Sequence, residues 1–479
     1  MRARAEKAAP REPRQRARRA VVAWGSVLQN NGYSRRALDS LAAMAARNQA
    51  DPEALPLLLI SFEYPRTFLS RNKKRGVAAR LRAQGVRAIF LPRFPERLRL
   101  IWYVNVVWSA ALLVALALRF RVRVFHAHSH HAATGAVLAA RLTGGRAIFD
   151  VHGVDVEERI LVGKYREGSS AHRADLAIQR FVLDRSDGVI AVSAPLVEYL
   201  DRAGRRPETP VLVVPSCTDL RVDAERWEET RRVIRAERGY GDRAVVLYAG
   251  SAAAWQWPER VATIAARLHE RTPGVLFLLL TPDGERFRGL FRAAGVPDDA
   301  LEVREVPHDE IPRIAPAADV ALLLRQDHLV NRVASPCKFA EYLACGLPVA
   351  VTRSLEECAR IVREEDLGIV VDGGASDDAI AADLADYLAA AKDATAIARR
   401  AIAVASSRFQ WESAGRDLAR FHRLVMDPRR PAVAPPPRWS AIPSRPTSAP
   451  PVLSSWQTAG PGRGESDYPR SAPWDHLRR

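Results

Sequence analysis

The sequence predicts an α/β protein of two doubly wound domains facing across a cleft. Short apolar runs of strand length recur through residues 55–426, continuous rather than alternating, and helix-length segments separate them. The connections carry turn residues suited to βαβ units, as in Gln84-Gly85-Val86-Arg87 between a helix and a strand. The 479 residues, 48% hydrophobic and 27% charged, suffice for two or three domains with large cores.

The formal net charge of +17 sits largely at the two ends. Residues 1–50 hold 11 basic and 3 acidic side chains and residues 427–479 hold 8 and 4, which leaves +5 for the middle. A nucleic-acid partner for the whole protein loses its main support, whereas basic ends suit an anionic membrane surface. The four cysteines, Cys217, Cys337, Cys345 and Cys358, show neither a CxxC nor a framework spacing, which points to a reducing, cytoplasmic compartment without structural zinc.

Residues 1–54 read as a basic N-terminal extension outside the main fold. Met1–Arg19 is Arg-rich, Ala20–Leu28 is apolar but short for a signal-peptide core, and residues 29–50 read as a helical leader. A first domain, residues 55–215, opens with the buried-strand run Leu57–Ser61, followed by helix Lys73–Gln84 and strand Ala88–Pro92. Ile101–Leu118 is an uncharged apolar run long enough to span a bilayer. A span would part Leu57–Ser61 from the next strand, Val122–His126, so the expectation is a helix packed on the domain whose outer face contacts a membrane surface. In Arg123–Ser129, alternation would aim His126, His128 and His130 to one side if the strand ran on. No metal is assigned to them. Helix Ala132–Leu142 and strand Ala147–Val151 follow, and Asp150, His152 and Gly153 are expected at that strand's carboxyl end, facing the cleft. Helix Arg173–Ser186, strand Gly188–Val192, helix Leu196–Ala203 and strand Val211–Val214 complete the domain.

The second domain, residues 216–395, opens with strand Ala244–Ala249 and then Gly250-Ser251, where a residue without Cβ lets backbone approach a phosphate or sugar. Helix Glu259–Glu270, strand Val275–Leu280, helix Glu285–Ala294 and strand Leu301–Val303 continue the alternation. Residues 396–426 are helical, and the Pro-, Ser- and Arg-rich tail 427–479 cannot bury enough apolar surface to fold.

The densest stretch is Leu323–Thr352, LLRQDHLVNRVASPCKFAEYLACGLPVAVT. The run Val320–Leu324 ends in Arg325, Ser335-Pro336 and Lys338 open a helix, Phe339–Cys345, and Gly346 and Pro348 stop it before Val349–Val351. Free N–H groups at that helix start, with Arg325 and Lys338 nearby, suit a diphosphate. Glu341, one turn in, suits ribose hydroxyls. The plain alternative is an i,i+3 ion pair between Lys338 and Glu341 on an exposed helix face. Only six lysines occur in the chain, which makes one in this motif more notable.

This segment resembles the donor site of family 4-like glycosyltransferases with the GT-B fold, two Rossmann-like domains. The shared pattern is R…N-x-x-x-S-P-x-K-x-x-E-Y-L-A-x-G-L-P-V, matched here by Arg325, Asn331, Ser335, Lys338 and Glu341. The family commonly carries a first glutamate eight positions before the second, where this chain has Val333. The resemblance implies a nucleotide-diphosphate sugar as co-substrate, no further cofactor, retention at the anomeric carbon, and a last helix, Trp411–Met426, that crosses back to the first domain. It places Arg325 and Lys338 on the departing diphosphate, Gly250, Ser251, Asn331, Ser335 and Glu341 around the nucleotide, and His152 with Asp150 at the sugar or acceptor. The expected acceptor is a glycan or lipid-linked molecule of the cell envelope. The rival expectations are a sugar-nucleotide epimerase or hydrolase of the same fold, and an inactive membrane-associated subunit.

Overall fold

In the computed structural model the described residues are 18–29, 32–49, 55–95, 99–390 and 393–427. Their thirteen strands form two sheets, and every strand pair is parallel. The first sheet contains β1 (Arg18–Trp24), β2 (Leu57–Glu63), β3 (Arg87–Pro92), β4 (Val122–His128), β5 (Arg146–Val151), β6 (Gly188–Ala191) and β7 (Val211–Val213), in the order β3-β2-β1-β4-β5-β6-β7. The second contains β8 (Val245–Ala249), β9 (Leu276–Leu280), β10 (Leu301–Arg304), β11 (Val320–Leu323), β12 (Val349–Thr352) and β13 (Gly368–Val371), in the order β10-β9-β8-β11-β12-β13. Helices cover both faces of each sheet, which is why the central strands carry unbroken apolar runs.

The N-terminal reading is corrected at its most consequential point. Residues 18–29 and 32–49 do not lie outside the fold: β1 is an interior strand of the first sheet, pairing with β2 through Arg19↔Leu57 and with β4 through Val21↔His126. Ala20, Val21, Val22 and Ala23 are fully buried. The helix Gly32–Gln49 then packs its Ala37, Leu41 and Met44 onto one face of the sheet. An apolar run after two arginines resembles a secretion signal by composition, but the same run is what a strand buried on both faces needs. Arg19 donates to Leu55 O at 3.0 Å, and Arg18 stacks on Phe120 with its guanidinium 5.7 Å from the ring centroid. The readings for residues 1–17 and 428–479 lie outside the described residues.

The apolar stretch at 101–118 is a helix, Arg99–Phe120, docked on the helix Ser129–Thr143. Its inner stripe, Asn105, Ser109, Leu113 and Ala117, is buried. A Cβ on Gly135 would come within 2.5 Å of Ser109 Oγ, so the two helices meet at van der Waals distance. The outer stripe, Tyr103, Val104, Val107, Trp108 and Leu118, faces solvent.

The helix Trp411–Met426 returns from the second domain and lies against the helix Gly32–Gln49 and the first sheet, with Trp411, Leu418, Phe421 and Val425 in that core. Tyr342, buried in the helix Cys337–Ala344, receives a hydrogen bond from Ala249 N at 2.8 Å and so pins that helix to the end of β8.

Candidate functional site

A doubly wound sheet opens a crevice at the carboxyl ends of the two strands where strand order reverses. The reversals fall between β1 and β4 in the first sheet and between β8 and β11 in the second. The residues leaving those strands are Gly25 and Ser129, and Gly250 and Leu324-Arg325.

At the second reversal, Arg325 is only 6% exposed. Its backbone is clamped, with N–H donating to Thr352 Oγ1 at 3.0 Å and the carbonyl accepting from Ser354 Oγ at 3.1 Å. Its guanidinium faces the phenols of Tyr248 and Tyr342, and no carboxylate among the described residues pairs with it. Burial pushes its pKa below the ordinary arginine value. A buried cation without a counter-anion is an expensive arrangement, and an anionic ligand would relieve it.

Gly250 has φ +153°, a backbone conformation that favours glycine, and a Cβ there would lie 2.7 Å from Gln256 Oε1 and displace that side chain. Ser251 beside it accepts at its carbonyl from Tyr248 OH, 2.8 Å, and at Oγ from Gln256 Nε2, 2.9 Å. The helix Cys337–Ala344 starts after Pro336 and stops at Gly346, where φ is +75° and a Cβ would strike Trp227 Nε1 at 2.5 Å.

Lys338 and Glu341 do pair at i,i+3, with Nζ 2.7 Å from Oε2, but the pair is not on an exposed face, because Glu341 is 2% exposed. Glu341 Oε1 also meets His308 Nε2 at 2.9 Å and, from the other domain, Arg35 Nη1 at 3.7 Å. Burial works against its charge, yet Lys338 and His308 outweigh it and hold the carboxyl at about 2. Ribose hydroxyls at this carboxylate would share it with Lys338, His308 and Arg35. An open groove of about 490 Å³ lies beside His308, lined by Asp219, Arg221, Asp309 and Arg313 among others.

Two residues expected at the nucleotide have other partners. Asn331 is buried and donates from Nδ2 to Gln326 O at 2.9 Å, closing its own loop. Ser335 Oγ accepts from Ser216 N at 3.1 Å and ties the motif to the hinge between the domains. Val333, in place of the family's first glutamate, is buried and joins Val330 in a core cluster of the first domain, while its carbonyl accepts from Ser193 Oγ at 2.6 Å. An acid there would lose its water to an apolar seam, so the position serves domain docking instead.

At the first reversal, Ser129 has φ +75° and ends the strand, so the side-by-side alternation stops at His128. His126 and His128 stack with ring centroids 4.7 Å apart. His130 and His131 turn away in the following helix, to Asp155 at 2.5 Å and Arg159 at 3.0 Å. The expectation of Asp150 facing the cleft is corrected, for it is 1% exposed with both oxygens engaged. Arg36 Nη2 sits 3.2 Å from Oδ1 and His126 Nε2 3.1 Å from Oδ2. Burial disfavours the anion, but Arg36, His128, His152 and His126 together hold its carboxyl well below the usual range. Asp150 therefore supports the site from beneath and does not reach substrate. His152, with a side chain 19% exposed, is the open member of the group, and its Nε2 lies 2.8 Å from His128 Nδ1. Ligand atoms of His126, His128 and Asp150 fall within 4.8 Å of one another, the spacing of a metal site. Those of His126 and Asp150 are spent in the hydrogen bonds just given, and Arg36 brings a positive charge to the same carboxylate.

Reading from the sequence missed Arg35, Arg36 and Asp39, all on the helix Gly32–Gln49. Asp39 is pushed up to about 6 by burial and by Asp219. The missed signal was Ala20–Trp24, a continuous apolar run of the same kind as Leu57–Ser61.

Residues 59–222 match the family described as Glycosyltransferase Family 4, and residues 230–404 match Glycosyl transferases group 1. The 2-deoxystreptamine N-acetyl-D-glucosaminyltransferase of Streptomyces fradiae is 28% identical over 272 residues, 54% of this chain and 62% of that protein. The alignment thus spans less than two thirds of the relative's length. Among solved structures, Anabaena HepE in complex with UDP superposes with a TM-score of 0.62 at 16% identity, covering 85% of this chain and 100% of that one. Sucrose-phosphate synthase from Thermosynechococcus elongatus gives 0.61 at 18% identity, with 85% and 99% covered. WaaG, a glycosyltransferase involved in lipopolysaccharide biosynthesis, gives 0.59 at 14% identity, with 84% and 99% covered.

The carboxyl of Glu341 is depressed in the folded protein, so its stabilising contribution is complete above the unfolded carboxylate value of about 4.3 and fades as pH falls toward about 2. Glu341→Gln should cost ~3 kcal/mol near neutral pH, because it removes a buried anion from the half-buried Lys338 and from His308. Urea unfolding should show that difference shrinking from about pH 5 toward pH 3.

Proposed function

We propose that this chain, which belongs to the family 4-like GT-B glycosyltransferases, moves a sugar from a nucleotide-diphosphate sugar to an acceptor hydroxyl with retention of anomeric configuration. The observation that carries this reading is Arg325, a buried guanidinium at a sheet reversal, beside a glycine of positive φ and without a carboxylate partner.

The chemical difficulty of such a transfer is the negative charge that grows on the departing diphosphate. A fixed cation and helix N–H groups already in place lower that barrier without reorganising in the transition state. Arg325, the Gly250-Ser251 backbone and the start of the helix Cys337–Ala344 supply these groups. Lys338 is held by Glu341 in the free protein and becomes available to the diphosphate when ribose hydroxyls take a share of that carboxylate. No organic cofactor or metal enters the proposed step, and the nucleotide sugar is a co-substrate. His152, at the end of β5 beside the other reversal, would address the sugar or its acceptor.

Lys338→Ala should keep the fold and lose most donor turnover, on the order of 100-fold or more. A thermal-shift panel of UDP-, GDP-, ADP- and dTDP-sugars identifies the donor for that assay, and unchanged turnover would reject the assignment. Donor incubated without acceptor should be hydrolysed only slowly; rapid conversion would favour an epimerase or hydrolase. The anomeric configuration of the product, read by NMR, tests retention.

The acceptor side of the proposal is a glycan or lipid-linked molecule presented at a cytoplasmic membrane surface. Between Arg97 and Phe149 the chain has seven arginines and no acidic residue. Within that span the outer face of the helix Arg99–Phe120 presents Val107 at 69% and Leu118 at 71% exposure. The stretch Ile101–Phe120 is long and apolar enough to cross a bilayer and is 33% buried. Its two ends connect β3 and β4 of one sheet, so a crossing would pull the sheet apart, whereas an exposed apolar face in an arginine-rich, acid-free stretch suits an anionic lipid surface. The protein should cosediment with phosphatidylglycerol vesicles and not with phosphatidylcholine vesicles. Val107→Asp with Leu118→Asp should reduce that binding by about tenfold or more, and retention of binding by this variant would refute the surface contact.

A further inference from the structure

The buried histidines beneath His152 have a hydrogen-bond direction that their surroundings fix. Asp150 is an anion and can only accept. His126 must therefore present Nε2–H to Oδ2, 3.1 Å away. Its Nδ1 lies 3.1 Å from Nε2 of His422, on the returning helix Trp411–Met426. The arrangement that leaves His422 Nδ1, buried and without a partner, as a bare lone pair has His422 Nε2–H donating to His126 Nδ1. The reverse direction would leave an N–H stranded there, and buried unpaired N–H groups are rarer and more costly than unpaired acceptors.

The same reasoning applies to His128. Its Nε2 is buried without a partner, while its Nδ1 lies 2.8 Å from His152 Nε2 and 3.4 Å from Asp150 Oδ2. A proton on Nδ1 satisfies both neighbours and leaves only a lone pair unpaired. His152 then accepts at Nε2 and must carry its own proton on Nδ1, for which the described residues offer no partner.

We propose that His128, braced by Asp150 and the His422–His126 pair, is a positioning residue that locks His152 as a neutral imidazole with its proton on Nδ1, offered to a substrate oxygen as a hydrogen-bond donor. His152 on this account is not a general base, because the nitrogen that would take a proton is already occupied by His128. The groups facing it agree with neutrality. Asp150 from β5 and Asp155 from the helix Asp155–Leu161 favour a charge, Arg36 from the helix Gly32–Gln49 and His126 from β4 oppose it, and the ring of Tyr33 lies 5.5 Å away. Burial outweighs the two acids and brings His152 down to about 4. The identity of the oxygen, a sugar or acceptor hydroxyl, rests on the glycosyltransferase reading; the proton's position does not.

The test is 15N NMR of histidine-labelled full-length protein, which distinguishes protonated from bare ring nitrogens, with His152 assigned through His152→Gln. At about pH 7 the wild type should show His152 protonated on Nδ1 and bare on Nε2. His128→Asn, whose amide N–H can stand where Nδ1–H stood, should preserve that signature. His128→Leu should lose it, with kcat lower by about tenfold or more at an unchanged donor KM. A wild-type His152 protonated on Nε2 or on both nitrogens overturns the proposal, and so does a Nδ1–H signature that survives His128→Leu. The spectra need no substrate, so failure of the glycosyltransferase reading would show as absent turnover with the signature intact.

Discussion

The arrangement depends on one uncompensated charge. Arg325 leaves β11 at the reversal of the second sheet, under the ends of the strands and largely out of water. Two other buried charges at the cleft have ionic partners. Asp150 has Arg36, and Glu341 has Lys338 and His308. Among the described residues Arg325 faces phenols and thiols and no carboxylate. The fold carries this cost because the surroundings are over-determined: Thr352 and Ser354 hold the Arg325 backbone, and Tyr342 holds the neighbouring helix. A site of this kind favours whatever anion can enter it, and the adjoining glycine allows a bulky one to come close.

The two domains are joined around that charge by directed contacts as well as apolar packing. Ser216 meets Ser335, Ser193 meets Val333, and Ala194 N meets Glu357 Oε2 at 3.2 Å. Arg35 crosses to Glu341. A ligand that claimed Glu341 would thus also alter a link between the domains. In the first domain the polar layer runs the other way, from His422 on the returning helix inward to Asp150 and outward to His152. The last helix thereby contributes to the cleft as well as to the core.

Much of this was legible in the sequence, and the exceptions share a physical cause. The strand–helix–strand order around Leu323–Thr352 was read with boundaries close to those found, apart from the short helix Leu329–Arg332, because glycine, proline and a charge at a strand end each leave a local mark. The opening strands read at Leu57–Ser61 and Ala244–Ala249 and the apolar helix at 101–118 were equally plain. β1 was not, because a short apolar run behind arginines satisfies two templates, and only pairing with β2 and β4 decides between them. Losing β1 hid Arg35 and Arg36, and with them the reason Asp150 is buried. Asn331 and Ser335 show a second limit. Their presence in the motif was legible, but a side chain's partner depends on segments far away in the chain, such as Ser216.

The most direct measurement is the thermal unfolding of Arg325→Met with and without a nucleoside diphosphate that stabilises the wild type. If Arg325 is held uncompensated for a diphosphate, the variant without ligand should unfold at a higher temperature than the wild type, since a buried lone charge gives way to an apolar side chain of similar length. The stabilisation by the nucleoside diphosphate should then disappear. An unliganded variant less stable than the wild type, with the nucleotide-induced shift unchanged, would contradict the account.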